Sequence, residues 1–297
     1  PACPTEAVTL VPQARGTASP SDAGVGLNEP VSIAVNSSQP IVAERPMYAN
    51  ASVPNAGLTT GAASEVGATS PGTDWLFAEG TTRPQFQEYL NLANFGSTAA
   101  TATVNLEYTN GDVRTQQVAV PADSFTQFDV NTASGSCNPS PCNPTQSVSA
   151  EVTSDQPIVV DRLMYFHNGS ISGITEAVGT SAANNVYSFA EGYTGGQFTE
   201  YLTLQNPTSN NETVAVTLFT QSGLVFQVQV NVVAHSRGGI TINNVLNPMG
   251  PTSVSMVVQV IGNGKIVAER PEYFRYGISG TGLTATGATD VIGYTGG

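Results

Sequence analysis

The nine residues PIVAERPMY at 40–48 return as PIVVDRLMY at 157–165 and as KIVAERPEY at 265–273. A second pattern, FAEGTTRPQFQEYLNLANF from Phe77, returns as FAEGYTGGQFTEYLTLQNP from Phe189, 112 residues on. The motif arginines Arg45, Arg162 and Arg270 stand 117 and 108 residues apart. The wider first spacing holds an inserted loop, CNPSPC at 137–142. A third register agrees with these two: VPQARGT from Val11, VPADSFT from Val120 and VAHSRGG from Val233. A unit of about 110 residues is too long for a solenoid turn of roughly 20–45 residues and long enough to close its own core.

One unit reads as a string of short strands. They are expected near Trp75–Ala78, Gln87–Ala93, Ala100–Tyr108, Val113–Val120, Phe125–Val130, Ser147–Val152 and Ile158–Tyr165. Val, Thr, Tyr and Phe dominate these segments, and apolar residues alternate with polar ones. YTNGD at 108–112 places Asn-Gly between two such runs, a strong hairpin signal. The fold expected is all-β: tandem immunoglobulin-like β-sandwich domains with about seven strands per full repeat. The boundaries follow from the repeats. Residues 1–73 carry the second half of a unit plus a linker, and 74–184 and 185–289 are full sandwiches. Residues 290–297 resemble the start of a further repeat, DVIGYTGG against NVYSFAEG. The Gly/Thr-rich stretches GLTTGAASEVGATSPGTD, GITEAVGTSAANN and GLTATGATD read as linkers, partly ordered against a neighbouring domain.

Each copy of the first motif sets an acid and an arginine in an apolar run. Alternate residues of a strand share a face. Ile158, Val160 and Arg162 therefore point one way, and Val159, Asp161 and Leu163 the other. In EYL, Glu88 shares a face with Leu90 and Leu92, as Glu200 does with Leu202 and Leu204. The expected pairs are Glu88 with Arg162 and Glu200 with Arg270, since the planar fork of arginine can hold a carboxylate with two hydrogen bonds. Such pairs would fix strand register. The competing expectation places both groups at strand ends in solvent. Arg45 has no EYL strand in its own half-unit, so its partner comes from elsewhere or is water.

Charged residues are only 10% of the chain, against roughly 25% in an ordinary soluble protein. The formal charge is −13, which repels phosphate backbones and argues against nucleic acid as a partner. No apolar run approaches the roughly 20 residues of a membrane span. Cys137 and Cys142 are close enough in sequence for a loop disulfide; a metal pair is the rival, but no nearby residues complete about four ligands. A disulfide points to an oxidising, extracellular setting. Cys3 is left odd.

The two histidines, His167 and His235, have no counterparts in the other units, and no G-x-S-x-G elbow supports a triad. Glu79 with Glu88 and Glu191 with Glu200 imitate a glycosidase pair, yet architecture explains their repetition better. Asp74 and Asp290 are the candidates for a calcium ion bridging linkers. No catalytic residue and no cofactor is assigned. Asn36, Asn50, Asn168 and Asn211 lie in N-x-Ser/Thr triplets and permit glycans.

The pairing of FAEG…F-x-EYL-x-L-x-N with PIVAERPMY about 80 residues later resembles a tandem repeat of large secreted or cell-surface bacterial proteins. The resemblance covers nearly the whole chain and implies extracellular β-sandwich repeats with a structural or adhesive role. The last unit departs from the pattern, with YTGG where FAEG is expected. The function expected is a structural subunit of an extracellular fibre or surface layer, joined head to tail to copies of itself. In that scheme the final strand (Val291, Ile292, Tyr294) or a neighbouring face completes the amino-terminal half-repeat around Arg45. The alternatives are a window from a longer repeat protein, or a cell-surface adhesin or carbohydrate-binding repeat protein.

Overall fold

The structure, a computed structural model, describes residues 4–26 and 29–296. Cys3 lies outside them. The chain divides into two compact units, Pro1–Ser38 and Gln39–Gly297. The described residues of the first unit form no strand. A turn there is closed by Val25 N–H donating to Pro20 O at 2.9 Å and Asp22 N–H to Ser19 O at 2.9 Å. Its Gln13 has φ 60°, as His235 (47°) has at the aligned position of the third register; in the middle copy the positive φ falls one residue later, at Asp123 (50°). The half-sandwich expected over 1–73 is thus reduced to its last hairpin.

That hairpin opens the second unit: β1 (Glu44–Val53) pairs antiparallel with β2 (Gly57–Val66). There follow β3 (Gly72–Phe77), β4 (Phe86–Asn94), β5 (Ala100–Tyr108), β6 (Val113–Val120) and β7 (Ser124–Asp129). Next come β8 (Ser136–Asn138), β9 (Val148–Asn168) and β10 (Ile171–Val178). The remainder is β11 (Val186–Phe189), β12 (Phe198–Asn206), β13 (Glu212–Thr220), β14 (Val225–Val232) and β15 (Ser236–Thr241), then a short helix α1 (Ile242–Leu246). β16 (Val254–Val260), β17 (Val267–Ile278) and β18 (Leu283–Ile292) complete the order. The fold is all-β and sandwich-type, as the alternation predicts.

Two cores lie side by side. In the first, inward residues such as Leu92, Val104, Leu106 and Val152 come from both layers and are fully buried. Burying each is worth roughly 1.5–3 kcal/mol. In the second, Leu204, Val216, Leu218 and Val258 play that part. The layers are connected in the same way. β9 pairs with β3 and β5 along its first part and with β4 and β10 along its second. The two strands expected at 147–152 and 158–165 are therefore one, which runs on through Ser154, Asp155 and Pro157. The second core splits the same path into β16, beside β11 and β13, and β17, beside β12 and β18. A break at Gly262 (φ 110°) makes the difference. The Cys137–Cys142 disulfide closes the inserted loop, with Cα atoms 5.3 Å apart, at the edge where β8 meets β6.

The three Gly/Thr-rich stretches, read as partly ordered linkers, each open as a strand. Each returns along its own motif strand: β1 with β2, the end of β9 with β10, and β17 with β18. β10 packs against both β2 and β18, and β2 also approaches β18. Small residues make this possible. A Cβ on Gly61 would stand 2.8 Å from the Cα of Gly173, and one on Gly173 would stand 3.0 Å from the Cα of Gly287. Hydroxyls then serve the neighbouring backbone. Thr60 N–H donates to Ser172 Oγ at 3.1 Å, and Thr286 Oγ1 donates to Ser172 O at 2.9 Å. Glycine, Ser and Thr suggest a tether by composition; here they let three ribbons approach one another closely.

Candidate functional site: acid–arginine joints between successive hairpins

Arg162 is fully buried, but its carboxylates are not the expected ones. It donates to Glu269 Oε2 at 2.8 Å, to Asp290, and to the carbonyl of Glu79 at 2.8 Å. Its guanidinium also lies 6.0 Å from the centre of the Phe77 ring. Glu269 and Asp290 belong to β17 and β18, so the arginine of the second hairpin is held by the third. Arg45 repeats this one step earlier: its partners are Glu176 on β10 and Asp161 on β9, the latter at 3.7 Å. The equivalence is positional. Asp161 and Glu269 each precede the motif arginine. Glu176 lies opposite Leu163 and Asp290 opposite Pro271, the residues that follow it.

The expected pair Glu88–Arg162 is therefore corrected. Leu90 lies directly opposite Arg162, while Glu88 lies opposite Met164, a diagonal step away. Glu88 instead accepts Thr81 N–H at 2.7 Å, and its own N–H is bound by Asn131 Oδ1 at 2.9 Å. Burial pushes its pKa up to about 8, against the opposing pull of Arg162. At neutral pH it is mostly a neutral acid. Gly80 of FAEG leaves room for it: a Cβ there would meet Val148 O at 2.6 Å and Glu88 Oε1 at 2.8 Å.

The pair Glu200–Arg270 is corrected likewise. Arg270 bonds Glu191 at 3.3 Å and Glu272 at 3.4 Å. The N–H of Glu200 binds Asn243 Oδ1 at 2.8 Å, as Glu88 binds Asn131. Burial raises Glu200 to about 8. Burial also opposes the charge of Arg162, but Glu269 and Asp290 more than offset it and hold the guanidinium protonated. Asp290 is pushed up by burial and by the charge of Glu269 beside it.

Further contacts clamp the FAEG segment of the first sandwich to the second. Ala78 N–H donates to Glu269 Oε1 at 2.7 Å. Arg237 on β15 donates to Glu79 Oε2 at 2.6 Å and to Ala78 O at 3.3 Å. Gln205 Nε2 reaches Glu107 Oε2 at 2.8 Å, and burial lifts Glu107 to about 8. Tyr273 stands edge-on to Phe86 and Phe166, with ring centres 6.1 and 5.2 Å away.

The final strand also differs from expectation. Val291 and Ile292 pair with Arg270 and Glu269 on β17. Ile292 packs against the second core. Tyr294 exchanges backbone bonds with Ser188 at 2.8 and 3.0 Å. These residues complete their own sandwich and are not a free donor strand. Asp290, considered for calcium, is spent on Arg162. Asp74 receives Thr73 Oγ1 at 2.7 Å. Among the described residues no group of three His, Cys, Asp or Glu is placed to hold a metal ion. His167 Nδ1 lies 2.6 Å from Leu58 O, and His235 lies 3.5 Å from Glu107. Among the described residues no helix is long and apolar enough to cross a membrane.

No family model matches the chain, and no curated protein matches it. Among solved structures, the chain is similar to the Thermotoga maritima protein 1070, with TM-score 0.32 and 13% identity over 38% of this chain and 96% of that one. It is also similar to the Anabaena sensory rhodopsin transducer, with TM-score 0.27 and 23% identity over 32% of this chain and 83% of that one.

Proposed function

We propose that the chain is a structural, non-enzymatic subunit of an extracellular fibre or surface layer that assembles head to tail. One observation carries this reading. The motif hairpins follow one another in a single sense, with Arg45 and Arg162 each held by acids of the next. An arrangement with unlike front and back faces can continue beyond one molecule, as a ring or a filament according to the turn per step. The shared strand paths of the two sandwiches support reading them as tandem immunoglobulin-like repeats. The loop disulfide, the scarcity of charge and the N-x-Ser/Thr triplets suit an extracellular, glycan-bearing protein.

A second reading, a cell-surface adhesin or carbohydrate-binding protein, is favoured by the cluster of Tyr193, Phe198, Phe274 and Tyr276 beside an open pocket of about 400 Å³. Light scattering with negative-stain microscopy of residues 1–297 separates the two. Assembly predicts mass that grows with protein concentration and elongated or ring-shaped particles. A well-folded monomer at every concentration sinks it.

A further inference from the structure

The joint between the sandwiches buries a set of residues whose counterparts stand exposed at the two open ends of the hairpin series. Ala78 and Glu79 are buried under the clamp of Glu269 and Arg237, while Ala190 and Glu191 of the second FAEG are exposed. Glu191 bonds the Arg270 of its own sandwich, and its side chain is 70% exposed. At the opposite end, Leu163 and Pro271 are buried, but Pro46 at the same motif position is exposed. Tyr48 is 81% exposed, whereas Tyr165 and Tyr273 are half-buried. Glu44, the counterpart of Asp161 and Glu269, is exposed as well.

The aromatic parts match in shape. Tyr273 stands against a stacked pair, Phe86 and Phe166, whose rings are 5.8 Å apart and inclined by 24°. Phe198 and Phe274 form the same stack at the far end, 5.6 Å apart and inclined by 21°. Beside it lies the open pocket of about 400 Å³, lined by Tyr193, Phe198, Arg275 and Tyr276. Strand alternation puts Glu44, Pro46 and Tyr48 on one face of β1, as it puts Glu269, Pro271 and Tyr273 on one face of β17.

We propose that this face of β1 in one copy docks on Arg270, Phe198 and Phe274 of a second copy. Glu44 meets the guanidinium and Tyr48 meets the phenylalanine stack. The joint made within the chain is thereby repeated between molecules. This deepens the assembly reading above and rests on it. Glu272 stands where Met164 stands in the internal joint, so the incoming carboxylate meets one more acid. Burial raises both Glu272 and Glu200, which lessens that charge.

The test uses Tyr48→Ala and Glu44→Arg in the full chain. Both sites are exposed, so the fold persists, which circular dichroism verifies. Sedimentation velocity over a concentration series is expected to show self-association weakened at least about tenfold in each variant, the scale of one lost aromatic or ionic contact. Excess Tyr48→Ala protein keeps its Phe198–Phe274 end, so it should also cap wild-type assemblies and lower their mean mass. Wild-type assembly with unchanged variants and no capping would overturn this joint and leave head-to-tail assembly standing elsewhere. A wild type that never associates overturns both.

Discussion

Replacing Arg162 with methionine is expected to lower stability by about 3–5 kcal/mol, the usual cost of leaving a buried charge without its partner. The side chain is fully buried and holds two acids from the following hairpin. Methionine fills part of the space but strands Glu269 and Asp290 in a dry joint. It also frees the Glu79 carbonyl that Arg162 binds. Urea unfolding followed by Trp75 fluorescence reports the change, because the ring is buried and its N–H donates to Ile158 O at 3.0 Å. Arg270→Met is the comparison. Of its two partners Glu272 is buried but Glu191 is largely in solvent, so a smaller loss than at Arg162 is expected. Equal losses at the two sites would refute the distinction between a filled joint and an open one.

Stability should fall as pH rises from about 5 to about 8. Glu88, Glu107 and Glu200 are each lifted by burial to about 8, and Glu65 to about 7. Their unfolded values lie near 4.5. Between these limits the folded chain keeps protons that the unfolded chain releases, so the unfolded state gains with every step upward in pH. Asp290 moves in the same direction. The loss accumulates across this window and levels off above about pH 8. Thermal melts across this range check it. Glu88→Gln and Glu200→Gln should each flatten part of the slope and raise the midpoint at pH 8. A midpoint that rises with pH, or variants that leave the slope unchanged, would contradict the neutral, buried state of these acids.

Much of the fold is legible in the residues. Alternation marks β4 to β7 to within a residue or two, and the repeat spacing marks two cores. The Gly/Thr-rich strands are harder to read, because small polar residues in a tether and in a tightly packed ribbon look alike. What distinguishes Gly61, Gly173 and Gly287 is the close approach of another backbone, a tertiary fact. The acid–arginine joints carry a clearer signal. Neighbouring residues of a strand point to opposite faces, so Asp161 cannot serve Arg162, nor Glu269 serve Arg270. A motif that repeats an acid on one face and an arginine on the other implies a partner on each side. The EYL glutamates draw attention as acids on the arginine's own face. Their burial beside a glycine shows a different task, filling space as uncharged acids. Arg45, whose partner its own half-unit does not contain, finds it in the next hairpin of the same chain.

The central claim is that Arg45 and Arg162, the first two motif arginines, are each held by the hairpin that follows. A double-mutant cycle between Arg162→Met and Glu269→Gln tests it most directly, with a parallel cycle between Arg162→Met and Glu88→Gln. The account predicts a coupling of about 2–3 kcal/mol for the first cycle, larger than the second by at least about 1 kcal/mol. Stronger coupling to Glu88 than to Glu269 would contradict it.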